Sequence, residues 1–193
     1  MKREQRKKTT TTSTVWRPKT TEDDKVQSLS LYDFNVVEGK TTVMMKNIPN
    51  KICLRNLLKV LDNHCSLENE KTQNQNLSEP ISEYDFVYLP MDFRSGFNLG
   101  YAFVNFTSGN AAVKFYHCFH KLKWENIGFS ACTKICEVSK ARIQGKERLV
   151  NHFQRSWFKC YTDEYLPTVF NPPRNGVNST STLSFVGQRR VPG

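Results

Sequence analysis

Leu99-Gly100-Tyr101-Ala102-Phe103-Val104-Asn105-Phe106 reads as a strand with two unequal faces. Successive strand side chains point to opposite sides. Tyr101, Phe103 and Asn105 therefore share one face, and Ala102, Val104 and Phe106 share the other. The second set is small and apolar and suits packing beneath helices. The first set leaves two aromatic rings on the solvent side, an arrangement that is costly unless something flat meets them. Nucleobases are flat, and stacking one on a ring contributes about 1–3 kcal/mol.

The segments around this strand complete one plan. Thr41 to Ile48 is β-branched and apolar and is stopped by Pro49, which predicts a strand. Leu54, Leu57, Leu58 and Leu61 recur at i, i+3, i+4 and i+7, which predicts a helix from about Ile52 to Asn63. Tyr84 to Leu89 is another strand, ended by Pro90. Both of its parities are apolar; with Val87 and Leu89 facing the core, Phe86 and Tyr88 join Tyr101 and Phe103. Ser108-Gly109-Asn110 opens a second helix whose apolar face is Ala112, Phe115, Tyr116 and Phe119. A last strand is centred on Lys134–Val138, with a short hairpin expected around Gly128. The order strand–helix–strand–strand–helix–strand is the ferredoxin-like βαββαβ plan of the α+β class. It predicts a four-stranded antiparallel sheet with both helices on one face and the other face open.

This domain is expected over residues 41–145. Residues 66–82 are polar and low in complexity and are expected to form a mobile surface insertion. Residues 1–40 read as a disordered basic tail, and 175–193 as a disordered tail rich in Gly, Ser, Thr and Arg. Between them, over 146–174, Leu149, Val150, Phe153 and Trp157 recur near helical spacing. An amphipathic helix there must bury its stripe. It either docks beside the sheet and widens the site or lies across Tyr101 and Phe103 and covers it.

Charge is uneven along the chain. Residues 1–19 carry seven bases and one acid, residues 20–133 eleven and thirteen, and residues 134–193 ten and four. A nearly neutral body with basic flanks suits a polyanion held at the edges. No run of eighteen apolar residues suggests a membrane span, and the N-terminus lacks the apolar core of a secretory signal. The six cysteines are therefore expected to stay reduced. No cysteine pair has metal-binding spacing, and no cofactor or metal is expected.

The quoted strand resembles the octamer of the RNA-recognition motif at seven of its eight positions, Leu99 standing where Lys or Arg is usual. Val43-Met44-Met45-Lys46-Asn47-Ile48 resembles the companion hexamer, with Met44 in place of its aromatic residue. Lys46-Asn47-Ile48-Pro49-Asn50-Lys51, Tyr84 to Phe93 and Asn98 to Phe106 are similar to the C-terminal RNA-recognition motif of the Mei-two-like meiosis regulators of plants and fission yeast. Ala141 to Lys146 and His152-Phe153-Gln154 are similar to the extension of that motif. The short chain resembles plant members that keep this C-terminal motif alone. The resemblance implies RNA binding, nuclear or nucleocytoplasmic residence, and a role in meiosis or meristem development.

The candidate RNA site comprises Tyr101, Phe103, Met44, Lys46, Asn47, Asn105, Phe86 and Tyr88, with Lys140, Arg142 and Lys146 as phosphate contacts that position a strand without reading it. Single-stranded RNA is the expected partner of a monomeric chain. The alternative is a protein-interaction module on the same fold, with the extension as its contact surface or internal cover. A phosphatase-like enzyme is the third reading. The sequence offers no Gly-rich anion loop, triad or paired metal carboxylates for it, and a non-enzyme is expected.

Overall fold

The computed structural model describes residues 40–75, 79–129, 132–177 and 180–192. The expected basic tail up to residue 39 lies outside them. In chain order the elements are β1 (Thr42–Lys46), α1 (Leu54–Asn74), β2 (Tyr84–Tyr88), β3 (Tyr101–Phe106), α2 (Gly109–Phe119), a 3-10 turn (Trp124–Ile127), β4 (Glu137–Lys140), α3 (Lys146–Phe153), β5 (Trp157–Lys159), a 3-10 turn (Asp163–Tyr165), β6 (Thr168–Arg174), β7 (Thr182–Phe185) and β8 (Gln188–Arg190). The βαββαβ order is as the sequence predicts.

The sheet is larger than predicted. It has six strands in the order β4-β1-β3-β2-β6-β7, all antiparallel, and β5 and β8 form a separate parallel pair. β6 adds to the free edge of β2, so the stretch read as one helix over 146–174 is a helix of eight residues followed by strands. The tail read as disordered contributes β7 and β8. The stretch 66–82 also differs. α1 continues to Asn74, because its later turns have work to do: Cys65 and Thr72 are buried. Asn69 accepts from the Ser82 amide at 2.6 Å and donates to the carbonyls of Ser82 at 3.0 Å and Asn175 at 3.2 Å. Polar residues hide a helix from a hydrophobic period when their side chains tie down neighbouring loops.

Val43, Met45, Ala102, Val104, Phe106 and Val138 lie on one face of the sheet and pack beneath α1 and α2 with Leu57, Leu61, Phe115, Phe119 and Trp124. α2 starts where Ser108 Oγ accepts from the Ala111 amide at 3.1 Å, an N-cap bond. His64 is buried here, edge-on to Phe115 and Phe119 at 5.3 and 5.4 Å, and its Nε2 finds no hydrogen-bond partner. Burial pushes its pKa down to about 4. The folded chain therefore holds it neutral while the unfolded chain takes up a proton near pH 6.5. This contribution is fully present above pH 6.5 and is lost as pH falls towards 4. Going from pH 7 to 4.5 should cost about 2 kcal/mol through this group alone. Urea titrations of the wild type and His64→Leu at both values check it, and equal acid losses in the two proteins would refute it.

Candidate nucleic-acid interface

β3 lies between β1 and β2, and its register fixes which side chains share the face opposite the helices. Met44 stands across from Phe103 and Lys46 from Tyr101, while on the other side Phe86 pairs with Asn105 and Tyr88 with Phe103. The parity that the apolar pattern left open in β2 is thereby settled: Phe86 and Tyr88 do share the face of Tyr101 and Phe103.

That face is not open as predicted. A second apolar core forms on it, where Phe86, Tyr88 and Phe103 meet Leu149 and Phe153 of α3, Phe158 of β5, and Leu166 and Val186. The Phe153 ring stacks on Phe86 at 6.2 Å and meets Tyr88 edge-on at 4.9 Å. Phe86 and Tyr88 are buried, and Phe103 is only 7% exposed. Of the two outcomes open to the extension, covering is the one found, but it covers the β2 side of the sheet. Trp157, expected on the helical stripe, lies instead on β5 and faces outward.

Polar groups fasten the cover. Asn105 is buried, and both its side-chain oxygen and its nitrogen are bonded. Its Oδ1 accepts from Thr41 Oγ1 at 2.8 Å and Thr42 Oγ1 at 2.7 Å, and its Nδ2 donates to Asp85 Oδ1 at 2.8 Å. Asp85 reaches across through a bulge between Tyr84 and Phe86, and its other oxygen pairs with Lys146 Nζ at 3.0 Å. Gln144 Oε1 accepts from the Thr41 and Thr42 amides at 3.1 and 3.0 Å, and its Nε2 donates to the carbonyls of Thr42 at 2.9 Å and Ala141 at 2.6 Å. Asn105 and Lys146, expected at an RNA surface, thus anchor the start of α3 to the sheet. The sequence reading missed Gln144; its place just before the extension stripe was the available signal.

The β1 side of the face is only partly covered, with Met44 and Tyr101 packing against the edge of the second core. Met44, Lys46 and Tyr101 are half-buried, and Asn47 and Arg142 are exposed. Tyr101 stands edge-on to Phe103 at 5.8 Å between ring centroids. Asn47 adopts a left-handed backbone, φ 58°, and its Nδ2 donates to the Ile135 carbonyl at 3.1 Å. Arg142 lies near His152, whose pKa is lowered by burial and then by the charge of Arg142. Lys140 pairs in register with Val43, a core residue, so it takes the parity of the helix-packed face and does not join this group. Gly100, just before Tyr101, has φ 84°, a conformation that favours glycine, and its carbonyl accepts from the Ile48 amide at 2.9 Å.

A βαββαβ core with this octamer on β3 and this hexamer on β1 defines an RNA-recognition-motif domain. Residues 40–154 match the RNA recognition motif 2 family, the C-terminal motif of MEI2-like proteins, and the chain belongs to that family. It is a family of RNA-recognition motifs, not of enzymes. The chain is 48% identical over 157 residues to the protein terminal ear1 homolog of Oryza sativa subsp. indica, covering 80% of this chain and 23% of that one. It is 47% identical over 143 residues to the protein MEI2-like 7 of Oryza sativa subsp. japonica, covering 70% and 36%. The chain thus spans about a quarter to a third of the length of these relatives. The solved structure of the Rna15 RRM with bound RNA (GU) aligns with a TM-score of 0.40 at 13% identity, covering 57% of this chain and 93% of that one.

Proposed function

We propose that the chain binds single-stranded RNA on the half of the sheet that the C-terminal layer only partly covers. Tyr101 is the stacking ring, Met44 an apolar floor, and Lys46, Asn47 and Arg142 the polar and basic rim. The observation that carries this reading is the pairing of Tyr101 with Lys46 across β3 and β1, both half-buried, beside a covered neighbour.

Magnitudes argue against lifting the cover. Opening it would expose about seven large apolar side chains, each worth roughly 1.5–3 kcal/mol when buried, a total of roughly 10–20 kcal/mol. Stacking returns only about 1–3 kcal/mol per base. The layer therefore stays closed, and Phe86 and Tyr88 act as support, not as a platform. Among the described residues no helix is long and apolar enough to cross a membrane.

Tyr101→Ala combined with Lys46→Ala should lower affinity for a labelled 20-nucleotide RNA pool about 10–50-fold, from one lost stack and one lost phosphate contact. Filter binding at two salt concentrations measures it, and the salt slope should fall by nearly one contact. Unchanged affinity in a folded double variant would reject the site.

Similarity to relatives named terminal ear1 and MEI2-like supports post-transcriptional control of meiosis or plant development as the biological setting. Crosslinking and sequencing of bound RNA from meiotic or meristem tissue tests it. The Lys2–Lys8 cluster supports nuclear residence. A fluorescent fusion with those bases changed to Gln should lose nuclear enrichment.

A further inference from the structure

The family match ends at residue 154, yet the chain goes on to build a second surface. β5 and β8 pair in parallel, with Trp157 beside Gln188, Phe158 beside Arg189 and Lys159 beside Arg190. Side chains alternate along β5. Phe158 points into the second core and meets Tyr88 edge-on at 6.0 Å, so Trp157 and Lys159 point away from the sheet into solvent. The backbone here is firmly held: the Gln188 amide donates to the Ser156 carbonyl at 2.9 Å and the Cys160 amide to the Arg190 carbonyl at 3.1 Å. Gly187 makes this approach possible. Its φ is 93°, and a Cβ there would lie 2.5 Å from the Phe158 ring and 3.0 Å from the Phe153 carbonyl.

Trp157 is 50% exposed, an unusual state for so large a ring. The Arg190 guanidinium lies 3.4 Å from its ring centroid, a cation–π contact. Arg155 and Lys159 are exposed on either side of it, and Tyr161, just beyond, is 69% exposed. Along residues 155–164 the acids are Asp163, already paired with Arg189 at 2.6 Å, and Glu164. Among the described residues, Arg155, Lys159 and Arg190 make no ion pair. Exposed aromatic rings interleaved with unneutralised cations suit a flexible polyanion that carries flat groups, which is single-stranded nucleic acid.

We infer that the outer surface of the β5–β8 pair is a second contact for the RNA strand. A nucleobase stacks on the Trp157–Arg190 unit, and Arg155 and Lys159 hold the flanking phosphates. This rests on the RNA-binding reading of the sheet and lengthens the site onto the layer that covers the β2 side.

The test uses the full chain and a labelled 20-nucleotide single-stranded RNA pool. Trp157→Ala should weaken binding about tenfold, as expected for one lost stack, while Trp157→Phe should stay within about threefold. Lys159→Ala leaves the Trp157–Arg190 contact intact and should reduce the salt slope by nearly one contact, so it reads the same surface even if Trp157→Ala loosens β8. Emission of Trp157, isolated as the difference from Trp157→Phe, should be quenched as RNA is added; a purely structural ring clamping β8 would show no such change. Unchanged affinity in Lys159→Ala together with no quenching overturns the inference. Loss of binding on Tyr101→Ala/Lys46→Ala alone would then leave the sheet reading standing. Loss on Trp157→Ala alone would reject the sheet and keep this surface, and a wild-type chain that binds no RNA would reject both.

Discussion

Phe153→Ala is expected to remove about 3–5 kcal/mol of folding stability, the cost of truncating a large aromatic side chain in a packed core. Phe153 is 1% exposed and touches both Phe86 and Tyr88, so no nearby group can collapse into the space without moving α3. Urea unfolding measures the loss. Val150→Ala, on the same helix but only partly buried, should cost far less. A Phe153→Ala loss below about 1 kcal/mol would mean that the covering layer is not part of the folded core. The same reasoning changes how the octamer should be probed. Phe103→Ala hollows the second core as well as altering the sheet face, so a binding defect in that variant mixes folding with recognition. Tyr101→Ala with Lys46→Ala removes a ring at the edge of that core, so its binding is read beside its own urea midpoint.

The sequence was most informative where one period dominated. The alternation from Tyr101 to Phe106 separated core from opposite face correctly at every position, and the four-leucine stripe located the start of α1. Elsewhere the code was ambiguous for identifiable reasons. In β2 both parities are apolar because both faces are buried, so only the register against β3 could distinguish Phe86 from Val87. The later turns of α1 carry Asn69 and Thr72, whose polar side chains serve hydrogen bonds to neighbouring segments and mask the helical period. The run from Leu149 to Trp157 fits a helix by spacing, but its last member belongs to a three-residue strand, which is too short to show a period of two. β6 contains Asn171-Pro172-Pro173, residues that argue against a central strand.

The candidate site divides along similar lines. Alternation placed Tyr101, and the hexamer resemblance placed Met44 and Lys46, on the face opposite the helices, where the strand register also puts them. Residue type could not show that Asn105 and Lys146 face inward partners. An asparagine or lysine near a sheet surface is equally suited to hold RNA or to hold protein, and here Thr41, Thr42 and Asp85 engage Asn105 while Asp85 pairs with Lys146. The basic residue missing from the octamer at Leu99 has no replacement on the covered half of the face. Positive charge instead gathers at Lys46 and Arg142 on the accessible rim and at Arg155, Lys159 and Arg190 on the outer layer. On the proposed reading RNA contact moves outward from the octamer's centre, while Phe103 and Asn105 at the centre are buried in the fold.

Asn98→Ala is expected to cost about 3–5 kcal/mol, a large effect for a loop residue, because it strands several buried groups at once. Asn98 is buried between the β1–α1 and β2–β3 connections. Its Nδ2 lies 2.7 Å from the Pro49 carbonyl, 3.0 Å from that of Asn50 and 2.8 Å from that of Ile52, and its Oδ1 accepts from the Gly100 amide at 2.7 Å. One side chain thus fixes the turn after β1 and the glycine that launches Tyr101 into β3. Asn98→Asp separates geometry from donor chemistry. A carboxylate keeps the acceptor for Gly100 but sets negative charge against three carbonyl oxygens, so at pH 7 it should be at least as destabilising as alanine. Acid should narrow its deficit relative to Asn98→Ala, because a protonated carboxyl regains one donor. Urea midpoints of the three proteins at pH 7 and pH 4.5 test both statements. If Asn98→Ala unfolds within about 1 kcal/mol of the wild type, the loops are held by backbone bonds alone, and the placement of Tyr101 beside Lys46 does not depend on Asn98.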